Sequence, residues 1–379
     1  MKLFQNLIGL FLLCFVAGCK EEYYPKVKSG NQSILVVEGV LNSGEGPTTI
    51  TLSRTLRLED SLRLLPVNNA QVSVESKSGS VVPLYDFSGN GRYMADQLNL
   101  NAADEYRLQI TTTDGMQYVS DFVSVRQNPP IDSVNWERNE QGVQLYVNTH
   151  NAENNTRYYR WEFQETWELR SGYFSTWKMV NGIPTPRAMP EESVYLCWRN
   201  FNSSNIILAS TAQLISDVIN HKLLLSIPAK SEKLGERYSL LVNQYALDKK
   251  GYEFYQLLRK NTETLGSIFD AQPSESGGNM HAVSDSTAQV IGFITAAAVQ
   301  QKRIFISRND VPDWNFRINC EESITVPNNP ESIRKNFSTN YLPYSAKQLG
   351  PTVQEYYGAR PECVDCTLRG GSTEKPFYW

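Results

Sequence analysis

The sequence predicts a mainly β protein. Three observations support this class: apolar and polar residues alternate along many short segments, turn signals separate those segments, and few segments have helical spacing. The chain has 379 residues, of which 41% are hydrophobic, so it can bury sizeable cores in two or three domains. We expect an N-terminal immunoglobulin-like β-sandwich, followed by a larger β-rich domain with one or two inserted helices.

Residues 31–128 form the predicted sandwich. Val72 and Val74 alternate with polar residues, and the stretch "YRLQITTTDGMQYVSDFVSV" contains two alternating runs interrupted by Asp114-Gly115. Asp-Gly between such runs favours a β-hairpin, because both residues tolerate positive φ. The strand spacing is typical of a sandwich of immunoglobulin size, although the sequence lacks the Cys…Trp…Cys spacing of true immunoglobulin domains.

A proline pair predicts the domain boundary. Pro129-Pro130 cannot donate to a sheet ladder and stiffens the chain, so we place the second domain at 129–379. This domain is β-rich in sequence, with strand-like runs such as "RYYRWEFQETWEL", "RYSLLVNQYAL", "AQVIGFITAAAV" and "KRIFISR".

Two segments of the second domain have helical spacing. Residues 211–220 bring apolar side chains together at helical intervals, and residues 248–269 do so after Asp248, a suitable N-cap. Residues 173–193 contain three prolines and no period, which predicts a long loop.

The first thirty residues resemble an export signal. Residues 1–18 combine a cation, a short apolar run and small residues, which is typical of a secretory signal peptide and too short for a transmembrane helix. "VAGC" resembles the bacterial lipobox, so we expect acylation of Cys19, with an ordinary secreted protein as the alternative. Residues 19–30 then form a lipidated tether.

Charged residues follow the predicted lipidation site. Lys20, Glu21 and Glu22 look like the surface-export signal of Bacteroidota lipoproteins, while a solvated tether on the periplasmic face is the alternative. We therefore expect a lipid-anchored outer-membrane protein that faces the cell surface.

Four cysteines lie in the predicted mature chain beyond Cys19: Cys197, Cys320, Cys363 and Cys366. Export through an oxidising compartment favours disulfides, and we expect the pairs Cys363–Cys366 and Cys197–Cys320. Cys363 and Cys366 form a CxxC, which can also mark a redox or zinc site. However, a zinc site needs four ligands, and the sequence has no second CxxC.

Several stretches together resemble a known family. They are the lipobox, "ILVVEGVLNSGEGPTTITLSRT", "PPIDSV", "YSLLVNQYALDKKGYEFYQLLRKNTETLGSIFDAQPSESGGNM", "RIFISRNDVPDW" and "CVDCTLRGGSTEKPFYW". The chain resembles the Bacteroidota outer-membrane lipoproteins of domain-of-unknown-function family 4249 over nearly its whole mature length. The resemblance implies an outer-membrane lipoprotein whose gene often accompanies a TonB-dependent transporter, and it implies no catalytic residues.

No motif in the sequence indicates catalysis, a metal or a cofactor. His150, His221 and His281 lack the zinc spacing of HExxH, and no nucleophile elbow or phosphate loop is present. The adjacent acids Glu191-Glu192 and Glu321-Glu322 fit solvated loops better than a converging catalytic pair. The formal net charge of −4 gives no indication of nucleic-acid binding.

An aromatic cluster is the better functional candidate. Exposed aromatic rings can stack on a sugar or grip a protein partner, whereas buried ones only pack a core, and both alternatives stay open. The candidates are Trp161, Trp167, Tyr173, Phe174, Trp177 and Trp198.

These features predict a non-catalytic binding or accessory subunit that partners a TonB-dependent outer-membrane β-barrel in nutrient uptake. The partner is implied by the resemblance alone. Two alternatives are a surface hydrolase with an unrecognised site and a structural component of outer-membrane assembly.

Overall fold

The mainly β prediction is confirmed. The computed structural model describes residues 33–55, 65–263, 278–285, 288–337 and 340–379. Within these ranges the protein has 25 strands and three helices, and residues 34–379 group into one compact unit. The predicted signal peptide and the sites Cys19, Lys20, Glu21 and Glu22 lie outside the described residues.

The first sheet is built mainly by the chain before residue 127. Along the seventh strand Tyr106, Leu108 and Ile110 are buried in alternation, as the sequence pattern predicts. The hairpin at Asp114-Gly115 is confirmed, with Thr111 paired to Gln117. The strands are β1 (Leu35–Asn42), β2 (Thr48–Arg54), β3 (Leu65–Pro66), β4 (Gln71–Ser76), β5 (Val81–Leu84), β6 (Arg92–Ala95), β7 (Glu105–Thr111), β8 (Gln117–Ser120) and β9 (Val123–Arg126).

A distant part of the chain completes this first sheet. β19 (Met280–Ala282) pairs with β8, while β20 (Val290–Gly292) and β21 (Ala296–Ala297) run parallel to β1. A Cβ added at Gly292 would lie 2.6 Å from the carbonyl oxygen of Val37, so this close approach requires glycine. The local pattern of residues 288–299 did not predict this pairing, and the immunoglobulin-like description of the first sheet stays a prediction.

Two further sheets pack face to face as a β-sandwich. Leu145 of one sheet and Trp161 and Val242 of the other are fully buried in their shared core. The three-stranded sheet has the order β10-β11-β17, and the sheet called the central sheet below has the order β15-β12-β18-β22, with β16 also paired to β12. The strands are β10 (Ile131–Asn139), β11 (Gly142–Asn151), β12 (Tyr158–Arg170), β15 (Leu196–Asn202), β16 (Ile207–Ser210), β17 (Asp217–Pro228), β18 (Arg237–Leu247) and β22 (Gln300–Ser307).

A smaller layer contains a hairpin, a three-stranded sheet and two short helices. Its core includes Trp177, Val326 and Tyr356. The hairpin turns at Asn181-Gly182, where both residues have positive φ, as an Asn-Gly hairpin turn requires. The prediction of one long loop over 173–193 is therefore wrong for this part of the segment. The elements are β13 (Trp177–Val180), β14 (Ile183–Pro186), β23 (Ser323–Pro327), α2 (Pro330–Asn336), β24 (Leu342–Leu349), β25 (Thr352–Ala359) and α3 (Pro361–Val364).

The longest described helix is α1 (Lys249–Glu263). It confirms most of the helix predicted over 248–269, whose last residues lie outside the described ranges. Oδ1 of Asp248 accepts a hydrogen bond from the backbone N–H of Gly251 at 2.6 Å, as an N-cap does. In the described part of the chain no helix is both long enough and apolar enough to span a bilayer.

The helix predicted over residues 211–220 is wrong. Residues 212–216 form turns and bends, and β17 begins at Asp217. Asp217 is buried and accepts a hydrogen bond from the Thr211 hydroxyl at 2.6 Å, which closes the turn. The apolar side chains that suggested a buried helical face instead point to solvent, and Ile215 is fully exposed.

The favoured disulfide pairing is also wrong, although all four predicted cysteines form disulfides. The bonds join Cys197 to Cys366 and Cys320 to Cys363. Cys363 lies in α3 and Cys366 begins the next helical turn, and each is packed against a different neighbour. The CxxC therefore joins the C-terminal part of the chain to β15 and to the segment before β23.

Candidate functional site

Most aromatic candidates from the sequence belong to the core. Trp161, Trp167, Trp177 and Trp198 are each at most 9% exposed, so for these four residues the core-packing alternative holds and the exposed binding face does not. The tryptophans of β12 face the sandwich core because they occupy the inward positions of an alternating strand. Tyr173 is half-buried and donates its hydroxyl to the Cys320 carbonyl at 2.7 Å, and only Phe174 is well exposed.

The three histidines lie apart on the surface, each beside one carboxylate. Nδ1 of His150 lies 2.8 Å from Asp132, and Nε2 of His281 lies 2.8 Å from Asp121. His221 lies 3.5 Å from Glu137. Within the described ranges no three His, Cys, Asp or Glu side chains are grouped so as to hold a metal ion. The absence of catalysis stays a prediction.

The carboxylate of Glu165 is buried in the sandwich core. Glu165 accepts hydrogen bonds from the Tyr238 hydroxyl at 2.7 Å and from the Lys233 ammonium at 2.6 Å. Burial, and then the charge of Glu165, raises the pKa of Tyr238 well above its ordinary value. These contacts satisfy the carboxylate within the core, so we assign Glu165 a structural role.

A cavity of about 300 Å³ lies where the first sheet meets the sandwich. It is lined by β9 and the residues after it, by the turn before β12 and by the end of β18. Arg126 in its wall lies 3.7 Å from Asp248. This charge pair and the surrounding backbone offer little directional chemistry for a ligand.

The outward face of the central sheet carries many more polar side chains that could bind a ligand. Along β12 the inward residues are apolar or buried, whereas the outward residues are Tyr158, Arg160, Glu162, Gln164, Thr166 and Glu168. The alternation that builds the core therefore places a polar row on the opposite face. Helix α1 and the C-terminal segment (residues 372–379) each cross this face, and the space between them is called the groove below.

Helix α1 forms the first wall of the groove. The ring of Tyr255 lies 4.4 Å from the Arg160 guanidinium, and the ring of Tyr245 lies 4.5 Å from it. Glu162 accepts hydrogen bonds from Arg160 at 2.5 Å and from the Tyr245 hydroxyl at 2.8 Å. Burial, and then the charge of Glu162, raises the pKa of Tyr245 above its ordinary value, so the Tyr245 hydroxyl stays protonated at neutral pH.

The C-terminal end of α1 reaches the β15–β16 edge of the same face of the sheet. The carboxylate of Glu263, its last residue, accepts a hydrogen bond from the backbone N–H of Ile206, just before β16, at 2.6 Å. The helix thus crosses from the end of β18 to the β15–β16 connection.

The C-terminal segment forms the second wall. Ser372 forms a backbone bridge to Trp198 of β15, and the Tyr378 hydroxyl lies 2.8 Å from the Thr166 hydroxyl. The Arg303 guanidinium of β22 stacks 3.5 Å from the Tyr378 ring centroid. Trp379 donates its indole N–H to Glu168 at 3.3 Å, which fixes the end of this wall.

The floor between the walls is rich in amides. Gln164 donates to Asn202 at 3.2 Å, and Gln301 donates to Asn243 at 2.9 Å. Arg303 donates to the Ser239 hydroxyl at 2.9 Å beside the second wall. From Arg160 to Thr166 the strand advances about 20 Å, and four strands span about 14 Å across.

Sequence reasoning missed the groove because its parts are far apart in the chain. Gln164, Asn243 and Gln301 come from three strands, and Tyr378 lies more than two hundred residues from its partner Thr166. A usable signal was present in the outward positions of the predicted strands, which hold amides and arginine rather than simple surface charge. Only the strand order and the path of the C-terminal segment bring them together.

Residues 20–303 match the family described as Domain of unknown function (DUF4249). The match includes the strands of the groove floor up to Arg303, and α1, while the second wall lies beyond the matched residues. No curated protein matches the chain.

Proposed function

The chain belongs to domain-of-unknown-function family 4249, and from that premise we propose that it is a non-catalytic binding subunit, lipid-anchored to the outer membrane, that serves a TonB-dependent transporter. The observation that carries the binding role is the groove on the central sheet. It combines a polar floor with two structured walls. By contrast, the three histidines lie apart with one carboxylate each, and Glu165 is hydrogen-bonded within the core.

The anchor is proposed from the sequence. "VAGC" ending at Cys19 supplies a lipobox, and Lys20, Glu21 and Glu22 supply the charge pattern of surface export. Multiple acyl chains on one residue would hold the protein stably, since a single chain binds only marginally. On this proposal the folded part of the protein, including the groove, lies outside the cell.

A separate surface supports the proposed protein partner. Leu214, Ile215 and Val218 lie within five residues and are 54%, 100% and 46% exposed. Clustered exposed apolar side chains commonly mark protein interaction sites. Leu214 and Ile215 lie just before β17, and Val218 is its second residue. In the described residues β17 is an edge strand of its sheet, because it pairs with β11 on one side, so the apolar patch lies next to a sheet edge.

The test is gentle detergent extraction of the full-length protein from native membranes, followed by mass spectrometry of what copurifies. We expect a β-barrel transporter at equal stoichiometry. The Ile215→Glu variant should reduce its recovery roughly tenfold, because a charge would be buried in the interface. The matched control is Leu349→Glu, at a position 74% exposed in β24, which should leave recovery unchanged.

The anchor has its own readout. Cys19→Ala should move the protein from the membrane fraction to the soluble fraction, and protease treatment of intact cells should cleave the wild-type protein. A Cys19→Ala protein that still pellets overturns the anchor. Recovery of a monomer that cleaves glycans or peptides overturns the binding role in favour of a hydrolase.

A further inference from the structure

We propose that the groove binds a neutral oligosaccharide of about two or three rings. This inference rests on the proposed binding function and names its ligand class. It starts from the four amide side chains of the floor: Gln164, Asn202, Asn243 and Gln301.

Each floor amide keeps unused hydrogen-bonding capacity. A primary amide has two N–H donors and two acceptor lone pairs, and each of the two amide pairs uses one donor and one acceptor. Gln164 and Asn243 are half-buried, while Asn202 and Gln301 are exposed. The floor therefore presents donors and acceptors side by side, as needed by hydroxyl groups, which donate and accept at once.

The charges around the floor cancel. Arg160 is paired with Glu162, and Glu38 of β1 lies near enough to interact electrostatically with both. Arg237 and Arg303 are two further cations beside the second wall, where the Glu168 carboxylate also lies. Burial lowers the pKa of Arg303, and the charge of Tyr378 and a hydrogen bond to it partly offset that effect. A phosphorylated or polyanionic ligand requires several unpaired cations, so this balance favours a neutral ligand.

Among the described residues, the floor offers few apolar side chains to anchor a peptide. Leu241 is half-buried between polar neighbours, and Phe305 of β22 on the same face is packed against Trp379. A bound peptide gains affinity from apolar anchors in pockets or from backbone pairing at a sheet edge. The flat middle of a sheet offers neither of these, whereas it offers a plane of hydrogen-bonding groups to a sugar.

Aromatic rings at the second wall complete the match. Phe377 is fully exposed, and its ring centroid lies 5.1 Å from that of Tyr378. Phe305 and Trp379 stack edge to face at 5.8 Å on the same side. The apolar face of a sugar ring can pack on Phe377 while its hydroxyls reach the floor, which is the division of labour expected for amphipathic ligands.

The test uses the purified mature protein and defined probes. Isothermal titration calorimetry should detect binding of at least one member of a panel of neutral α- and β-linked trisaccharides at millimolar concentration. NMR should show shifts in the side-chain amide signals of Gln164 and Asn243. Inositol hexakisphosphate and an uncharged tripeptide serve as the polyanionic and peptide probes.

The variants separate the groove from other surfaces. Gln164→Leu combined with Asn243→Leu, and Phe377→Ala alone, should each weaken trisaccharide binding roughly tenfold. Gln348→Leu, at an exposed glutamine in β24, should leave it unchanged. Unchanged thermal unfolding of each variant would show that the fold is retained.

The outcomes are distinct from those of the proposed function. The groove variants should still copurify with the transporter, and Ile215→Glu should still bind the trisaccharide. The inference is overturned if no trisaccharide shifts the floor amides, if only the polyanion or the tripeptide does, or if the groove variants bind the sugar as well as wild type does.

Discussion

The two faces of the central sheet are made by the same strands but are stabilised by different interactions. The inward face packs Tyr159, Trp161 and Phe163 of β12 into the sandwich core, where they are almost completely buried. The outward face holds polar side chains that bond to one another and to two segments that cross them. Burial of large apolar groups dominates stability, so the inward face fixes the fold, and we propose that the outward face recognises a ligand.

The comparison is sharpest at neighbouring positions of β12. Trp161 is inaccessible and donates its indole N–H to Gln244 at 2.9 Å. Gln164, three residues later, makes one exposed hydrogen bond at the groove floor. The same strand thus alternates between positions where we expect a substitution to change stability and positions where we expect it to change ligand binding.

The largest expected effect is at the inward face. Trp161→Ala should lower the free energy of unfolding by about 3–5 kcal/mol, because it opens a cavity and leaves the buried Gln244 without its donor. Equilibrium urea denaturation measures this change.

The matched variant on the outward face is Gln164→Ala. It should change the free energy of unfolding by roughly 0.5 kcal/mol or less, as is usual for partly exposed positions. Equal losses for the two variants would contradict the division between a stabilising face and a recognition face.

The sequence predicted the inward face far better than the outward one. Alternation in "RYYRWEFQETWEL" and "YRLQITTTDGMQYV" identifies strands and their buried residues, because neighbours along the chain carry that signal. The pairing of β1 with β20 and β21, and the crossing of the outward face by residues 372–379, depend on contacts between distant segments. No local period encodes such contacts.

The errors have the same origin. Leu214, Ile215 and Val218 have helical spacing, but the Thr211–Asp217 hydrogen bond and the start of β17 determine the local conformation. The predicted pairs Cys363–Cys366 and Cys197–Cys320 are wrong because Cys363 and Cys366 each reach a partner that the fold brings near. Spacing alone allows three pairings of four cysteines.

The next largest effect concerns the Cys197–Cys366 disulfide, which joins β15 of the central sheet to the chain just before the second wall. Replacing Cys197 and Cys366 together with serine should lower the free energy of unfolding by about 2–4 kcal/mol, because the bond closes a loop with a sequence separation of 169 residues. It should also weaken groove binding, since Cys366 precedes the segment that carries Tyr378. Urea denaturation and calorimetry with the trisaccharide measure the two changes.

The control is the matching replacement of Cys320 and Cys363, which lie away from the groove and close a shorter loop with a separation of 43 residues. It should destabilise the protein and spare binding. Non-reducing peptide mapping should find Cys197 linked to Cys366, and a Cys363–Cys366 peptide would contradict the fold of this region.

The smallest effect is at the outward face of the other sheet of the sandwich, where His150 of β11 pairs with Asp132 of β10. Hydrogen bonding to Asp132, and then its charge, raises the pKa of His150 above 6.5. The folded protein then holds this proton more tightly than the unfolded chain does. The pair therefore contributes stability that is fully present below about pH 6.5 and is lost as the pH rises through the folded-state pKa.

NMR titration of the imidazole should therefore give a midpoint above 6.5 in the wild-type protein and a lower one in Asp132→Asn. Asp121→Asn, beside the separate His281, is the matched control and should leave the His150 midpoint unchanged. The difference in thermal stability between wild type and Asp132→Asn should be small and should shrink as the pH is raised. If Asp132→Asn destabilised the protein as much as Trp161→Ala, the outward surfaces would also determine the fold. That result would contradict the division between a stabilising inward face and a binding outward face.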